Sequence, residues 1–366
     1  MSQLFSPVTI NNITYRNRLV MAPMTRTFAI NGIPGENIAK YYERRAASDV
    51  GLIVTEGTVI RRPSSKNDPN IPDFYGVEAM EGWAKVVERV HAAGGKIWPQ
   101  LWHVGAIQPL KKDWSPAEPM ESPSGISRPG RVTGKEMSKE DIEACIEAFG
   151  ESAANAKAAG FDGLQIHAAH GYLIDQFFWK ETNQRQDSWG GETIEERNRF
   201  AVHVIKAVRK AVGPEFTISM RVSQWKQQDY EAKIAKDPEE LERWLMPLVE
   251  AGVDILDCSQ RRFWEPEFEK SDLNFAGWVK KVTDVPTITV GSIGLTGEFI
   301  TAFLGESSEV DRASIDLLYK KLANDEFTLA AVGRPLIQDS KFASKLKHGR
   351  FDQMEDFSPD SLTKLI

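Results

Sequence analysis

Cysteine is scarce in this sequence: the 366 residues include only Cys145 and Cys258. Two cysteines are too few for a disulfide framework or an iron–sulfur cluster, so the composition predicts a reducing compartment. No apolar stretch approaches the roughly 18 residues that a membrane-spanning helix needs, and no charged segment followed by an apolar one opens the chain. We therefore expect a cytoplasmic protein without a membrane partner.

An excess of positive charge is also missing. The chain has 45 Lys and Arg against 52 Asp and Glu, a net charge of −7, and it contains no long basic run. This balance argues against nucleic acid as the main partner. The sequence has neither a lysine-bearing phosphate loop nor a G-x-G-x-x-G motif after a strand, so it gives no support to a Rossmann-type nucleotide site.

What the chain does have is an alternation of short apolar runs with longer amphipathic ones. This alternation predicts an α/β fold, a (β/α)8 TIM barrel formed by a single domain over residues 1–366, with an open doubly wound sheet as the alternative. The predicted strands are 19–21, 51–55, 96–101, 163–167, 217–222, 255–258, 287–290 and 329–332. The predicted helices are 37–48, 79–93, 139–159, 194–212, 238–250, 273–282 and 312–322.

Two long connections, 61–75 and 103–137, interrupt the alternation and are rich in proline. Loops of this length in a compact domain usually cover or form a binding site. Both follow the carboxyl end of a predicted strand, and barrel enzymes carry their active sites at that face. We therefore expect long functional loops at the carboxyl ends of the strands.

Small and cationic residues follow the last two predicted strands. Gly291 and Ser292 come after the seventh strand, and Gly333 and Arg334 after the eighth. Glycines let backbone N–H groups approach an anion, and arginine adds a charge-assisted fork, so this pair of loops predicts a phosphate site. The alternative is that these glycines only turn the chain.

A phosphate-bearing cofactor lying across the barrel mouth would need polar groups from other strand ends. The candidates are Thr25, Gly57, Gln100 and Arg221. Each also has an ordinary structural interpretation, since Thr25 and Gln100 are typical of turns or caps and Arg221 could pair with a structural carboxylate.

The predicted fourth strand ends in His167, His170 and Tyr172, separated by small residues. The histidines could bind a metal, but a metal site needs further ligands and His103 is the one plausible addition, so we predict no metal site. They could also be structural. The interpretation that we favour pairs two imidazole donors, which hold and polarise an oxygen, with a phenol that delivers a proton.

Several segments in order resemble the Old Yellow Enzyme family of flavin-dependent ene-reductases, which includes 12-oxophytodienoate reductases. The resemblance extends from about residue 4 to about residue 338. Its strongest parts are Asn17-Arg18-Leu19-Val20-Met21-Ala22-Pro23-Met24-Thr25-Arg26, Gln100-Leu101-Trp102-His103, Ile166-His167-Ala168-Ala169-His170-Gly171-Tyr172-Leu173, Asn183 to Gly191, and Glu196-Arg197-Asn198-Arg199-Phe200.

The resemblance implies a barrel that binds FMN without a covalent bond, takes electrons from NADH or NADPH, and reduces an activated alkene. It assigns His167 and His170 to the carbonyl or nitro oxygen of the substrate and Tyr172 to protonation of the α-carbon. It assigns Arg221 to negative charge on the reduced ring and Gln100 to the pyrimidine part. The remaining cofactor contacts that it implies are Pro23, Met24 and Thr25 at the flavin edge, the backbone of Gly57, and Gly291, Ser292, Gly333 and Arg334 at the phosphate.

The chain departs from the family pattern in three places. Ala106 stands where we expect an arginine, the segment 107–114 does not match closely, and the segment 351–366 lacks the tyrosine-bearing stretch that closes over the substrate in many relatives. We expect Trp102, Phe263 and Trp264 to contact the substrate, although the aromatic and basic run 261–264 could also be a surface patch.

The function that the sequence predicts is an FMN-dependent ene-reductase acting on α,β-unsaturated carbonyl or nitro compounds. One alternative is a barrel hydrolase using carboxylates such as Glu56 and Asp257, and another is a flavin-binding protein without turnover. The sequence leaves open whether the protein is a monomer or a homo-oligomer.

Overall fold

A computed structural model describes residues 2–109, 111–298 and 305–366, and its centre is a closed barrel of eight parallel strands. The strands follow one another around the barrel in chain order, and the last pairs with the first. The predicted TIM barrel is therefore confirmed, and the open sheet is excluded. The barrel strands are β1 (Leu19–Met21), β2 (Leu52–Val59), β3 (Lys96–Trp102), β4 (Gly163–His170), β5 (Thr217–Lys226), β6 (Ile255–Ser259), β7 (Thr287–Val290) and β8 (Leu329–Val332).

Helices lie between consecutive strands and bury their apolar faces against the barrel. The sequence encodes their starts: Ser138 and Asp141 form a capping box, and Asp237 caps a helix that begins at Pro238. The long helices are α1 (Glu36–Ala47), α2 (Val77–Ala92), α3 (Lys139–Ala158), α4 (Arg199–Val212), α5 (Pro238–Glu250), α6 (Phe275–Thr283) and α7 (Arg312–Ala323).

Short elements fill the connections. The long loop after β3 contains two small sheets, in which Glu121–Ser122 pairs with Lys135–Glu136 and Ile126–Arg128 pairs with Arg131–Val132. The helix predicted over 194–212 is divided at Asn198, whose side-chain amide donates to the Trp244 carbonyl. The other short helices are Gln3–Phe5, Ile30–Gly32, Leu173–Phe178, Ile194–Arg197, Arg334–Gln338, Phe342–Lys347, Phe351–Gln353 and Pro359–Thr363.

The inside of the barrel is apolar at one end and polar at the other. The hairpin formed by Val8–Ile10 and Ile13–Tyr15 covers the amino-terminal end, where the Tyr15 ring meets Trp98 at a centroid distance of 5.9 Å. The other end carries buried polar side chains on β3 to β6, including Gln100, Arg221 and Asp257. The barrel is therefore sealed at one end and open to a ligand at the carboxyl ends of its strands.

Three strands run at least three residues further than the sequence pattern predicts. β2 continues to Val59, β4 to His170 and β5 to Lys226, and the β4–β5 register is irregular between Ala168 and His170. Polar residues in these extensions interrupt the apolar pattern, which is why pattern alone ended the strands early. Among the described residues, no helix has both the length and the apolar character needed to cross a membrane.

Candidate active site

A cavity of about 500 Å³ opens at the carboxyl ends of the barrel strands. This volume lies within the range of small-molecule and cofactor sites. Residues predicted for the site line much of it: Pro23, Met24, Thr25, Gln100, Trp102, His167, His170, Tyr172, Arg221, Gly291, Ser292, Gly333 and Arg334. The fold therefore brings together groups that are more than 300 residues apart in the chain.

His167, His170 and Tyr172 form a compact cluster in this cavity. The His167 ring lies 5.3 Å from the His170 ring and 5.2 Å from the Tyr172 ring, measured between centroids. His170 shares a 2.7 Å hydrogen bond with Ser259 through Nε2, and Nδ1 of His167 is buried with no hydrogen-bond partner within the described part of the chain. A buried polar atom left open beside a cavity is available to a ligand.

Two tryptophans fix the planes of these imidazoles. The His167 ring stacks on Trp102 with centroids 5.9 Å apart, and the His170 ring lies 4.5 Å from that of Trp225. Trp102 also meets the Tyr172 ring edge-on at 4.8 Å. The three polar groups therefore have defined orientations before any ligand binds.

Burial sets the protonation of the cluster. It lowers the pKa of His167 and of His170 well below the ordinary histidine value, and the nearby positive charge of Arg221 adds to the effect. Burial raises the pKa of Tyr172 to about 12, and Gln227 donates to its hydroxyl oxygen at 3.0 Å. At neutral pH the cavity thus presents two uncharged imidazoles and a phenol that keeps its proton.

A chain of hydrogen bonds crosses the barrel beneath the cavity. Asp257 accepts from Nε of Arg221 at 2.9 Å and from Nε2 of Gln165 at 2.8 Å. Because the Gln165 amide donates to the carboxylate, its oxygen faces the other way and accepts from Nε2 of Gln100 at 2.8 Å. Asp257 thereby orients both amides and holds Arg221, so Gln100 can offer its own oxygen to a ligand N–H.

The predicted phosphate loops after β7 and β8 lie side by side. Nη2 of Arg334 lies 3.4 Å from Oγ of Ser292, and the guanidinium also donates to the carbonyls of Gly297 and Glu298 at 2.6 and 2.7 Å. Gly291 has a φ of 151°, and a Cβ there would overlap the backbone of Gln260. Only glycine fits that position, which brings the backbone of this loop to the cavity.

The loop after β1 is held from behind by a buried carboxylate. Oε2 of Glu56 accepts from the backbone N–H of Arg26 at 2.9 Å and of Thr27 at 3.1 Å. Burial raises the pKa of Glu56 to about 7. Glu56 does not line the cavity, so its role in this structure is to place Pro23, Met24 and Thr25.

Three predicted site residues lie outside the cavity wall. A Cβ on Gly57 would overlap the Trp102 ring, so Gly57 makes room for that tryptophan. Phe263 is completely buried in the core, and Trp264 packs edge-on against it at 5.5 Å. Their neighbour Arg261 does line the cavity, because the chain after β6 turns the basic side chain rather than the aromatic ones toward it.

Several cavity residues were not predicted from the sequence. Leu362 belongs to the segment 351–366, and Arg26 fixes that segment by donating to the carbonyls of Ser361 and Lys364 at 3.0 and 2.7 Å. Arg26 follows the predicted site residue Thr25, and this position was the one sign in the sequence that Arg26 belongs to the site. The sequence has no such sign for Leu362, since an isolated leucine near a chain terminus is an ordinary feature. The other lining residues missed include Trp225, Gln227 and Ser259.

Within the described ranges, no group of three or more His, Cys, Asp or Glu side chains has the geometry to hold a metal ion. His103, the one candidate for a third histidine ligand, is occupied by Glu121 and by the backbone of Gly105.

The donor set fits FMN. A planar ring needs hydrogen-bonding groups on one edge, which Gln100 and Arg221 supply, and a phosphate needs a cation with close backbone, which Arg334 and Gly291 supply. His167, whose Nδ1 has no partner among the described residues, lines the cavity that such a ring would share with a substrate.

Comparisons with known proteins agree with this geometry. The chain is 37% identical over 237 residues to 12-oxophytodienoate reductase 7 of Oryza sativa subsp. japonica, covering 60% of this chain and 58% of that protein. It is 32% identical over 362 residues to an NADH oxidase of Thermoanaerobacter brockii, covering 96% of this chain and 52% of that protein. The chain thus spans little more than half the length of these two relatives.

Solved structures extend the likeness over the whole chain. Morphinone reductase in complex with tetrahydroNAD superposes with a TM-score of 0.79 at 25% identity, covering 99% of this chain and 94% of that one. Old Yellow Enzyme from Pichia sp. AKU4542 shares the fold with a TM-score of 0.81 at 24% identity, covering 99% of this chain and 90% of that one. Residues 3–302 match the NADH:flavin oxidoreductase / NADH oxidase family. The chain belongs to this family, and its resemblance to the Old Yellow Enzymes is confirmed.

Proposed function

We propose that this protein is an FMN-dependent ene-reductase that uses NADH or NADPH to reduce α,β-unsaturated carbonyl or nitro compounds. The observation that carries the proposal is the cluster of two uncharged imidazoles and a protonated phenol in one cavity. The names of its relatives, among them 12-oxophytodienoate reductase and morphinone reductase, support the same chemistry.

When bound, FMN would supply the hydride chemistry that links the nicotinamide to the β-carbon of the alkene. Gln100 and Arg221 would hold its pyrimidine edge, and Ser292, Arg334 and the backbone of Gly291 and Gly333 its phosphate. The cofactor would be held without a covalent bond, so unfolding the protein should release free FMN.

His167 and His170 would bind the substrate oxygen. As hydride reaches the β-carbon, negative charge develops on that oxygen, and two preorganised donors stabilise it; loss of one such donor typically costs about 2.7–4 kcal/mol. The imidazoles can play this part while uncharged, because each carries one N–H.

Tyr172 would then deliver its proton to the α-carbon. Gln227 donates to the phenol oxygen of Tyr172, so this bond does not use the hydroxyl hydrogen, which can be donated to a substrate. The raised pKa of Tyr172 keeps this proton in place until a carbanion-like carbon takes it.

A flavin-binding protein without turnover is the second candidate, and one comparison favours it. The chain is 35% identical over 269 residues to a protein of Epichloe festucae var. lolii named probable inactive reductase easA, covering 73% of this chain and 70% of that protein. The carboxylate hydrolase gains no support, since Asp257 is paired with Arg221, Glu56 holds backbone N–H groups, and neither lines the cavity.

The test uses the FMN-loaded protein under anaerobic conditions. NADH and NADPH are added separately, and the loss of oxidised-flavin absorbance is followed by stopped flow. An enone, a nitroalkene and a saturated ketone as control are then added to the reduced protein. We expect bleaching by at least one nucleotide and reoxidation by the alkenes alone. Bleaching without reoxidation would favour the second candidate, and failure to bind FMN would refute both.

A further inference from the structure

The turn that carries His170, Gly171 and Tyr172 is left-handed at two consecutive residues. The φ angle is 65° at His170 and 78° at Gly171. Glycine adopts this conformation freely, but histidine does not, and such a conformation persists only where the surroundings enforce it. The structure should therefore contain groups that hold this turn in place.

Hydrogen bonds occupy every backbone N–H and C=O of the turn. The N–H of His170 donates to Oγ of Ser223 at 2.9 Å, and its carbonyl accepts from the N–H of Gln227 at 3.4 Å. The N–H of Gly171 donates to Oδ2 of Asp175 at 2.7 Å. Gln176 donates to the carbonyls of Gly171 and Tyr172 at 2.8 and 2.7 Å, and the N–H of Tyr172 reaches the Ala169 carbonyl at 3.3 Å. The side chains of Ser223, Asp175 and Gln176 supply three of these six partners, and backbone groups supply the other three.

Behind the turn lies a fully buried ion pair. Nζ of Lys226 lies 2.7 Å from Oδ1 of Asp175, and neither side chain is exposed to solvent. Lys226 also donates to the carbonyl of Ser223 at 3.1 Å. The two oxygens of Asp175 therefore have different partners, since one accepts from the Gly171 N–H just after β4 and the other pairs with Lys226 at the end of β5.

We propose that Asp175 and Lys226 are positioning residues that fix the His170–Tyr172 turn for proton delivery and oxygen binding. The inference rests on the proposed function. A buried ion pair is not by itself stabilising, because apolar residues of similar volume can replace one without loss of stability. An apolar pair could not, however, accept the Gly171 N–H or connect it to β5. The charged pair therefore contributes to the geometry of the turn rather than to the stability of the fold.

Two double variants separate geometry from stability. Asp175→Asn with Lys226→Met removes both charges but keeps a side-chain oxygen that can accept from Gly171. Asp175→Leu with Lys226→Met removes the charges and the acceptor at similar side-chain volume. Neither variant leaves an unpaired buried charge, and we expect similar FMN content in both. The Leu variant leaves the buried Gly171 N–H without an acceptor, so we expect its unfolding free energy to be lower than that of the Asn variant.

The two variants should differ in chemistry. A misplacement of about 1 Å can slow a reaction on the order of 100-fold, and we expect that loss in enone reduction for the Leu variant, with the Asn variant within a few-fold of wild type. We expect a weaker dissociation constant for p-hydroxybenzaldehyde over the flavin and faster hydrogen exchange at the Gly171 amide in the Leu variant alone. Equal enone rates and equal Gly171 exchange in the two variants would overturn the inference.

The amide exchange measurement also keeps this inference separate from the proposed function. If wild-type protein with FMN failed to reduce enones, the proposed function would fall, while the exchange comparison would still decide whether the pair holds the turn. If the Leu variant did not fold, Asp175→Ala with Lys226→Met would remove the same charges and the same acceptor with a smaller side chain. Unchanged phenol binding and unchanged exchange at the Gly171 amide in that variant would then refute the positioning role.

Discussion

Two histidine clusters lie at the carboxyl ends of neighbouring strands, β3 and β4, and use their ring nitrogens differently. Nδ1 of His103 accepts from the Gly105 N–H at 3.0 Å, which leaves the proton on Nε2, and this atom lies 3.1 Å from Oε1 of Glu121. In the other cluster, Nδ1 of His167 is buried and meets no partner within the residues described. One histidine is satisfied by the protein, and the other is left open.

The surroundings of the two clusters differ in charge as well. Arg62 forms a bidentate pair with Glu121 at 2.9 and 2.7 Å and also reaches Asp141 at 3.0 Å, so the His103 cluster is a buried ionic network that fastens the long loop after β3 to the start of α3. The side chains of His167 and His170 contact aromatic rings and Ser259, and although Arg221 is near, they form no ion pair within the described part of the chain. A charged cluster in which every hydrogen-bonding group has a partner indicates a structural role. An uncharged imidazole that lines a cavity and has a nitrogen without a partner indicates a ligand-binding role.

The largest effect that we expect comes from Tyr172→Phe in the open cluster. Removing the phenol should leave flavin reduction by NADH or NADPH intact and slow enone reduction by a factor of about 10²–10⁴, because a general acid is lost. The measurement is the rate of each half-reaction by stopped flow. Gln227→Ala, which removes the donor to Tyr172, serves as a milder comparison. Enone turnover at the wild-type rate in Tyr172→Phe would contradict the proton-donor assignment.

The barrel could be predicted from the sequence because each of its elements has its own signal. The apolar runs Leu19–Met21 and Leu329–Val332 begin and end at their predicted residues, since a parallel strand buried on both faces is largely apolar. The extension of β4 to His170 could not be predicted this way, because it depends on β5, where Ser223 accepts from the His170 N–H and Lys226 is the register partner of His170. Local pattern carries no information on such partners.

The site was predictable where residues follow strands in a recognisable motif, as with His167, His170 and Tyr172. Leu362 reaches the cavity through contacts of the segment 351–366 with distant residues, among them Arg26, Arg44 and Ser308. Phe263 turns inward because Asn274 and Gly291 fix the backbone around it. Both outcomes depend on long-range packing. Sequence proximity to a strand end was therefore a good guide to the neighbourhood and a poor guide to side-chain direction.

Glu121→Gln should have the next largest effect, on stability rather than chemistry. Removing one partner of a buried ion pair typically costs 3–5 kcal/mol, and we expect a loss of about 3 kcal/mol in the free energy of unfolding, because Arg62 keeps Asp141 as a partner. Denaturant unfolding of the FMN-loaded protein measures it. The matched control is Glu143→Gln on the exposed side of α3, where we expect less than about 0.5 kcal/mol. A loss as small as that of the control would remove the distinction between the clusters.

His167→Ala and His103→Gln should have opposite signatures. Losing a hydrogen bond to a charged acceptor costs roughly 1.5–3 kcal/mol, so His167→Ala should weaken binding of a phenolate ligand about 10- to 150-fold with little loss of stability. His103→Gln should destabilise the protein and leave the dissociation constant unchanged. Titration of the flavin spectrum with p-hydroxybenzaldehyde measures both. Equal dissociation constants in the two variants would show that His167 does not bind the ligand oxygen.

The smallest effect should appear in the pH dependence of stability, where the two clusters occupy different windows. Burial lowers the folded-state pKa of His167 below 6.5, so the unfolded chain binds the extra proton and stability falls as pH drops below about 6.5. Burial alone would raise the pKa of Glu121, but hydrogen bonds from His103 and Arg62 hold this pKa well below 4.5. The contribution of Glu121 to stability is therefore complete above pH 4.5 and is lost only below it.

His167→Gln should therefore reduce the slope of the stability profile below about pH 6.5, by at most about 1.4 kcal/mol per pH unit, while His170, whose pKa burial lowers in the same way, retains its own contribution to that slope. Glu121→Gln should reduce the slope only below pH 4.5. Unfolding free energies of the two variants and wild type, measured across this range, test both. Loss of the slope above pH 5 in Glu121→Gln would mean that the ionic network, and not the open imidazole, is what acid first disrupts.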